Sequence, residues 1–402
     1  MSKKRVALIT VWFPPTNGVA VNRMKSFANY LSDDFFMEVF TLGTNEECVK
    51  TDFGMVHSQV SRSFYDKIKH NSTDGKLKHH FKTMLNLLAM NLGVSKHKKW
   101  KNKTLDALFK RHREAPFDVL ISSYAPTDPH DIVVEFKQEF PDVVWIADMR
   151  DEMSSNPFLS DKQRNMLRKK ENKYAQYISG LTTVSGPILE DFKKVYPVLS
   201  EFAEIRNGFD HEVEPIQGRN KVFTIVYAGM FYGKRKPNLF FEAVLNALRN
   251  NRVEKDFKVI FVGTSNNFNI PSGLKNCVEF VPSVSYEKAI TYMRDADCNL
   301  LINPPLGTLG QFSGKVFDYL SVEKPILALV DKKDVAAALI EDHNGGVSAN
   351  FYDITQIEDA FCELYGFWKR KEDFPINRLK TMELHRKHQV LKLENFIIKL
   401  LK

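Results

Sequence analysis

The segment from Gly307 to Asp318 brings three glycines (Gly307, Gly310, Gly314), a lysine and an aspartate together in a pattern suited to phosphate chemistry. The apolar run Cys298 to Ile302 precedes it, and Ser313 stands as an N-cap candidate before a short amphipathic helix. A second apolar run, Ile326 to Val330, closes the unit. Strand, glycine loop, helix and strand in that order aim backbone N–H groups and a positive helix end at an anion. Lys315 falls in the first helical turn and Asp318 three residues on, so both can share one helix face. A lysine for a phosphate and an acid for sugar hydroxyls would make this a sugar-nucleotide site. The alternative is a Lys315–Asp318 pair on the helix surface, worth only a few tenths of a kcal/mol.

The elements that position such a site can be read from the rest of the chain. At 402 residues it is too long for one core, and two domains are expected. A hydrophobic content of 43% with 26% charged residues describes a soluble globular protein. Cys48, Cys277, Cys298 and Cys362 are far apart, with no spacing that suggests zinc or a disulfide framework, so a reducing cytoplasm is expected. The basic-then-apolar start, Met1 to Phe13, reads as a first buried strand rather than a leader, since it ends in Pro14-Pro15 without a small-residue cleavage site. No run approaches the roughly 18 apolar residues of a membrane span.

Apolar runs alternate with helical patterns through both halves. Strands are predicted at Val6 to Val11, Met37 to Leu42, Val119 to Ser122, Val143 to Ala147, Leu181 to Val184 and Ala203 to Ile205. After Asn207 the pattern restarts with Phe223 to Tyr227, Lys258 to Val262 and Val278 to Val281. Strands separated by helices argue for parallel, doubly wound sheets. The expected division is a first domain over 1–206, a second over 207–377, and a segment 378–402 returning to the first as an amphipathic helix. That helix repeats Val390, Leu393, Phe396, Ile397, Leu400 and Leu401 on one face.

Several motifs resemble the retaining GT-B glycosyltransferases of the family 4 (group 1) type, over nearly the whole chain. Phe13-Pro-Pro-Thr-Asn-Gly18 resembles that family's first glycine loop, and Ser122 to His130 its segment with an active-site histidine. Trp145-Ile-Ala-Asp-Met-Arg-Asp151 is similar to the Asp-x-Arg-Asp signature of members that build bacterial surface polysaccharides. Asn207-Gly-Phe-Asp210 matches the crossing into the donor domain, and Tyr227 to Pro237 the basic donor-phosphate loop. Gly314-Lys-Val-Phe-Asp-Tyr-Leu320 with Lys324-Pro-Ile-Leu resembles the family's Lys-(apolar)-Phe-Glu-Tyr-Leu and Gly-x-Pro element. The implied fold is two Rossmann-like domains facing across a cleft.

The resemblance implies a donor site made by Asn17, Gly18, Gly229, Arg235, Lys236, Gly310, Gly314, Lys315 and Asp318, with the acid on the ribose. Gly263, Thr264, Val281 and Ser283 lie at strand ends where a base could be held through backbone groups. Charge developing on a departing nucleoside diphosphate would be met by Arg235 and Lys315, with no metal expected. The implied catalytic set is His130, Asp148, Arg150 and Asp151, where His130 contacts the transferring sugar or orders the acceptor hydroxyl. The same residues could instead be a structural histidine and an ion-pair cluster. The chain departs from the family pattern at three places, one of them Asp318, which stands for the second glutamate of a pair. Gly310 stands where the first glutamate of a pair is usual, and Met230 where an arginine often follows the loop glycine.

The net charge of +8 has one address. Between Lys76 and Lys103 there are eight lysines and no acid, which leaves the other 49 basic residues balanced by 49 acidic ones. Nucleic acid is not an expected partner, since the excess is local. Phe81, Leu85 and Leu88 at helical spacing, followed by Lys98, Lys99 and Trp100, suit an anionic membrane surface. The alternative is a helix packed on its own domain with a solvated basic flank. The expected function is transfer of a sugar from a nucleoside diphosphate sugar to a saccharide acceptor, polyprenyl-diphosphate-linked, in surface polysaccharide synthesis. The place would be the cytoplasm, peripheral on the inner face of the membrane. A nucleotide-sugar epimerase of the same fold, or an inactive sugar-nucleotide-binding homologue, are the competing readings.

Overall fold

The computed structural model describes residues 3–61, 81–85, 97–212, 218–231, 233, 235–264 and 268–402. The chain forms two compact units, Met1–Arg206 with Arg386–Lys402, and Asn207–His385. Residues 378–385, expected with the terminal helix, thus belong to the second unit.

In chain order the first unit contains β1 (Lys4–Thr10), α1 (Val19–Tyr30), β2 (Phe35–Leu42), β3 (Glu47–Thr51), β4 (Gly54–Gln59) and α2 (Lys98–Glu114). There follow β5 (Val119–Tyr124), α3 (Asp128–Glu139), β6 (Val144–Met149), α4 (Asp161–Tyr174), β7 (Gly180–Thr183), α5 (Gly186–Val195) and β8 (Phe202–Glu204). The strands lie in the order β3-β4-β2-β1-β5-β6-β7-β8. All pairings are parallel except that of β3 with β4. Strand β1 shows why the apolar runs are continuous rather than alternating. Its Val6 and Leu8 enter one buried cluster with Met24 and Phe27, while Ala7 and Ile9 enter another with Phe136 and Trp145. A parallel sheet covered on both faces needs apolar residues at every position.

The second unit contains β9 (Phe223–Ala228), α6 (Asn238–Arg249), β10 (Phe257–Val262), β11 (Val278–Val281), α7 (Tyr286–Arg294) and β12 (Cys298–Ile302). It continues with α8 (Lys315–Ser321), β13 (Ile326–Val330), α9 (Val335–Asp342), β14 (Gly346–Asn350), α10 (Ile354–Lys369) and α11 (Arg378–Met382). The sheet order is β11-β10-β9-β12-β13-β14, and every pairing is parallel. The order reverses between β9 and β12, so the crevice for a ligand opens at their carboxyl ends. The last helix, α12 (Arg386–Leu400), returns to the first unit. There Val390, Leu393, Phe396 and Ile397 join the cluster of Phe27 and Met24. At about 1.5–3 kcal/mol per buried side chain, these four supply roughly 6–12 kcal/mol of gross burial energy. No helix among the described residues is long and apolar enough to cross a membrane.

One charged group lies deep in the first sheet. Glu38 of β2 has no exposed side-chain surface and meets Arg5, His57 Nε2 at 2.8 Å and Arg111 Nε at 2.9 Å. Burial alone would raise its pKa, but hydrogen bonds from His57 and Arg111, with the charges of Arg111 and Arg5, outweigh this and bring it down to about 2. A folded pKa below the unfolded one adds stability that is present above about 4.5 and is lost as pH falls toward 2. The shift corresponds to about 3 kcal/mol. Glu38→Gln should therefore destabilise the first unit by about that much at pH 6. In denaturant titrations the gap from wild type should close as pH approaches 2, and a pH-independent gap would contradict this account.

Candidate functional site

At the carboxyl edge of the second sheet two neighbouring strands end on glycines in left-handed territory, Gly229 (φ +112) after β9 and Gly263 (φ +81) after β10. The Gly229 N–H donates to Val262 O at 2.7 Å and the Gly263 N–H to Val281 O at 2.9 Å. These bonds extend the ladder one residue past each strand. A Cβ on Gly229 would sit 2.7 Å from Lys315 Cε and 3.0 Å from Nζ. Gly229 is therefore bare for two reasons, its backbone angle and the lysine stem that crosses it. Gly229→Ala should destabilise the second unit by about 1–2 kcal/mol through backbone strain alone. It should also push Lys315 aside, and an unchanged unfolding midpoint would refute the argument.

Lys315 opens α8, and its Nζ lies 5.4 Å from the centre of the Tyr227 ring. Burial, then the charge of Arg235, lowers its pKa to about 8 against the opposing pull of Asp318. Arg235 Nη2 donates to Asn303 Oδ1 at 2.8 Å, so the loop after β9 is tied to the end of β12 across the strand-order reversal. Tyr319, wholly buried, accepts the Ala228 N–H at 3.0 Å and fixes α8 to the end of β9. Two cationic side chains are thus held at one crevice by an aromatic ring, an amide and a glycine.

The Lys315–Asp318 ion pair allowed by spacing does not form. Among the described residues Asp318 Oδ1 accepts instead from the Tyr286 hydroxyl at 2.7 Å, and Tyr286 is 43% exposed. Ser313, expected as the N-cap, is buried, and Gly314 occupies the cap position without a side-chain bond. With seven residues, α8 is too short for its dipole to do much, and the charge at the site comes from side chains. The N–H of Gly310, expected at the donor site, donates to Asp334 Oδ1 at 2.7 Å. Asp334 also accepts the Val335 N–H at 2.7 Å, so this loop is pinned to the start of α9. Thr264 is buried beside Gly263, Val281 is half-buried, and Ser283 and Lys236 are exposed. Lys234 lies outside the described residues.

In the first unit Asn17 and Gly18 are exposed between β1 and α1. His130, expected in the catalytic set, is an internal residue of the first unit. The ring has 0% exposure, Nδ1 is 2.6 Å from Ser122 Oγ and Nε2 3.2 Å from Met149 Sδ. Burial lowers its pKa to about 4, against Asp131 and Asp148, so it stays neutral as part of the core. Asp148 of β6 is likewise internal. It is fully buried and holds Arg23, whose Nη2 lies at 2.6 Å, and it accepts from Thr182 Oγ1 at 2.8 Å. Arg150 donates from Nε to Tyr124 O at 2.8 Å, and its Nη2 is 3.8 Å from Asp151 Oδ2. Asp151 is 53% exposed and faces solvent. Trp12 Nε1 donates to Ala125 O at 2.5 Å, joining the loops after β1 and β5.

The basic segment divides. Phe81 is 58% exposed, Leu85 is half-buried, and Lys98 and Lys99 are exposed in the first turn of α2. Trp100, expected at a membrane surface, has no exposed area and packs in the core with Phe136 and Trp145. Its helix needs an apolar face toward the sheet, and Trp100, Thr104 and Leu108 supply it at four-residue spacing. Leu88 lies outside the described residues.

Sequence reasoning missed Tyr227, Asn303, Tyr286, Tyr319 and Arg23. Tyr227 and Tyr319 read as core aromatics, and Arg23 is a charge set among the apolar positions Ala20, Val21, Met24 and Phe27 of its helix. That oddity was the one available signal.

Solved structures share this architecture along nearly the whole chain. Sucrose-phosphate synthase from Thermosynechococcus elongatus matches with a TM-score of 0.61, covering 99% of both chains at 11% identity. The lipopolysaccharide outer core galactosyltransferase WaaB, in its apo form, matches with a TM-score of 0.60 over 98% of this chain and 99% of that chain, at 11% identity. Anabaena HepE in complex with UDP and glucose matches at 0.55 over 99% and 97%, with 12% identity. No protein-family model matches the chain, and no curated protein sequence does. The likeness establishes the fold, which is GT-B.

Proposed function

We propose that this chain is a glycosyltransferase that moves a sugar from a nucleoside diphosphate sugar to a saccharide acceptor, with the donor held by the second unit. The observation that carries the reading is the placement of Lys315 across Gly229, with Arg235 close enough to depress its pKa and tied to Asn303. A departing diphosphate accumulates negative charge, and two preorganised cations at a strand-order reversal suit it. The shared fold with enzymes named as sucrose-phosphate synthase and galactosyltransferase supports the same class. HepE was solved with UDP and glucose, which makes UDP the first probe.

In this reading Asp318 accepts the ribose hydroxyls once the Tyr286 hydroxyl gives way. Arg150 and Asp151, at the carboxyl end of β6, act on the acceptor side. Transfer proceeds with retention and without a divalent ion, since Lys315 and Arg235 meet the leaving-group charge. The acceptor is lipid-linked and belongs to surface polysaccharide synthesis, and the enzyme works in the cytoplasm at an anionic membrane surface. Phe81, Lys98 and Lys99 are the exposed groups for that contact.

The test is calorimetric titration of the full chain with UDP, GDP and ADP, followed by product analysis with the matching sugar donors and a polyprenyl-linked acceptor in EDTA. Nucleotide binding with acceptor-dependent transfer is expected. Failure of every nucleotide to bind would sink the proposal, and turnover of donor without acceptor would replace it by an epimerase.

A further inference from the structure

At the opposite, amino end of the second sheet lies a cavity of about 490 Å³, within the range of small-ligand sites. It opens where the chain enters β9, β12 and β13 and where α10 ends. Its floor includes Glu323 and Lys324, both buried, and its walls include Arg219, Trp368, Phe374 and Arg378. The six residues of β9, at about 3.3 Å each, put roughly 20 Å between this cavity and the Gly229 crevice.

The charges in the cavity compensate one another. Arg219 Nη2 is 2.7 Å from Asp373, Arg378 Nε is 3.0 Å from Glu323, and Lys324 feels the nearby carboxylates of Asp297 and Asp295. Asp297 in turn accepts the Thr224 N–H at 2.8 Å. With Glu372, itself 2.8 Å from Arg370, the lining carries three cations and four carboxylates, each cation beside a carboxylate, and has no positive excess to recruit a free anion. It is nonetheless rich in hydrogen-bonding groups, and one of them is unused. Arg219 Nη1 is buried with no hydrogen-bond partner among the described residues, a state that costs about 1–3 kcal/mol until an acceptor arrives. Beside these groups stand half-buried aromatic faces, with Phe374 packed 5.1 Å from Phe367 and Trp368 anchored through Nε1 to Asn220 O at 3.1 Å.

The ligand that fits is uncharged, has one apolar face for an aromatic ring and carries hydroxyls that both donate and accept. We propose that this cavity is a saccharide-binding site, distinct from the donor crevice, in which Arg219 and Lys324 donate to sugar hydroxyls, Glu323 accepts from one, and Trp368 and Phe374 stack on the ring. A site remote from the donor crevice holds a sugar unit other than the one being transferred.

Saturation-transfer difference NMR on the full chain tests this with maltose, cellobiose, lactose and N-acetylglucosamine, each with and without saturating UDP. Transfer to ring protons of at least one sugar is expected, unchanged by UDP. It should fall at least fivefold in Arg219→Gln and in Trp368→Leu, with wild-type melting curves as the check on folding. Phe374→Ala replaces the tryptophan variant if that one does not fold. The proposal is overturned if no sugar responds, if the response survives in Arg219→Gln and the aromatic variant, or if UDP removes it. Inorganic phosphate binding that depends on Arg219, without any sugar response, would assign an anion site and overturn it too. Because UDP binding is measured separately, failure here leaves the donor-site reading standing, and the reverse also holds.

Discussion

Replacing Lys315 by methionine should weaken nucleoside diphosphate binding by about 30- to 150-fold while making the free protein more stable. The first number follows from losing a charge-assisted contact to phosphate, about 2–3 kcal/mol. The second follows from the lysine's surroundings. Burial and Arg235 hold its pKa near 8 instead of 10.5, so the folded protein at pH 7 maintains a charge its site disfavours. A lysine whose folded pKa is depressed costs stability below that pKa, and the cost fades as pH rises from about 8 toward 10.5. Methionine keeps the stem's packing against Tyr227 and Gly229 and removes the charge, for a gain of about 1–3 kcal/mol at pH 7. A merely structural lysine predicts the opposite sign, since its loss would cost packing and nothing else. The same pKa fixes a pH dependence for wild type. Affinity should be flat below pH 8 and then fall by up to tenfold per unit, because only the ammonium form binds phosphate well. Calorimetry from pH 6.5 to 9.5 with denaturant melts of both proteins reads all three effects. Tight binding by the methionine variant, or a destabilised one, would remove Lys315 from the site.

What the sequence made legible was the part set by local pattern. Apolar runs such as Val6 to Val11 and Ile326 to Val330 are strands because both faces of a parallel sheet are covered, so every residue signals burial. The spacing of Val390, Leu393, Phe396 and Ile397 was likewise enough to give α12 a buried face. The hairpin of β3 and β4 was not legible. Its outer strand β3 is a sheet edge with mostly exposed residues, and Glu47-Cys-Val-Lys-Thr51 has no reason to look apolar. Helix α2 was hidden by its own charge, because its buried stripe is thin and its lysines dominate the composition.

At the site, residue types were legible and pairings were not. Lys315, Asp318 and Arg235 could be picked from motif and chemistry. That Asp318 would take Tyr286 rather than Lys315, or that Gly310 would be tied to Asp334, depends on loops meeting across 24 to 32 residues of chain. No local periodicity encodes such meetings. His130 and Asp148 show the same limit for side-chain direction. Both stand near strand ends, where functional groups often sit, but the side chains turn inward. Placement in the sequence fixes which end of the sheet a residue occupies, not whether it faces solvent.

Asp148 therefore yields the largest expected stability effect. Asp148→Asn should destabilise the first unit by about 3–5 kcal/mol. The carboxylate is fully buried against Arg23, itself only 1% exposed, and Arg23 Nη1 also donates to Ile205 O at 2.6 Å. The guanidinium lies 4.9 Å from the Phe27 ring, on the face of the sheet that α12 covers. Asparagine keeps the shape and an acceptor for Thr182 but leaves the arginine charge uncompensated in a place without water. The penalty is that of an unpaired buried ion, not of one lost hydrogen bond. For a unit of this size it corresponds to a fall of roughly 6–20 °C in melting temperature. Arg23→Met with Asp148→Asn should recover much of the loss, because removing both charges restores balance. A catalytic Asp148 predicts a different pattern, with activity lost in the single and double variants alike at unchanged stability. Melting curves for the two variants, read beside transfer activity per folded molecule at 20 °C, separate these cases. A stable but inactive Asp148→Asn would place the residue in the catalytic set.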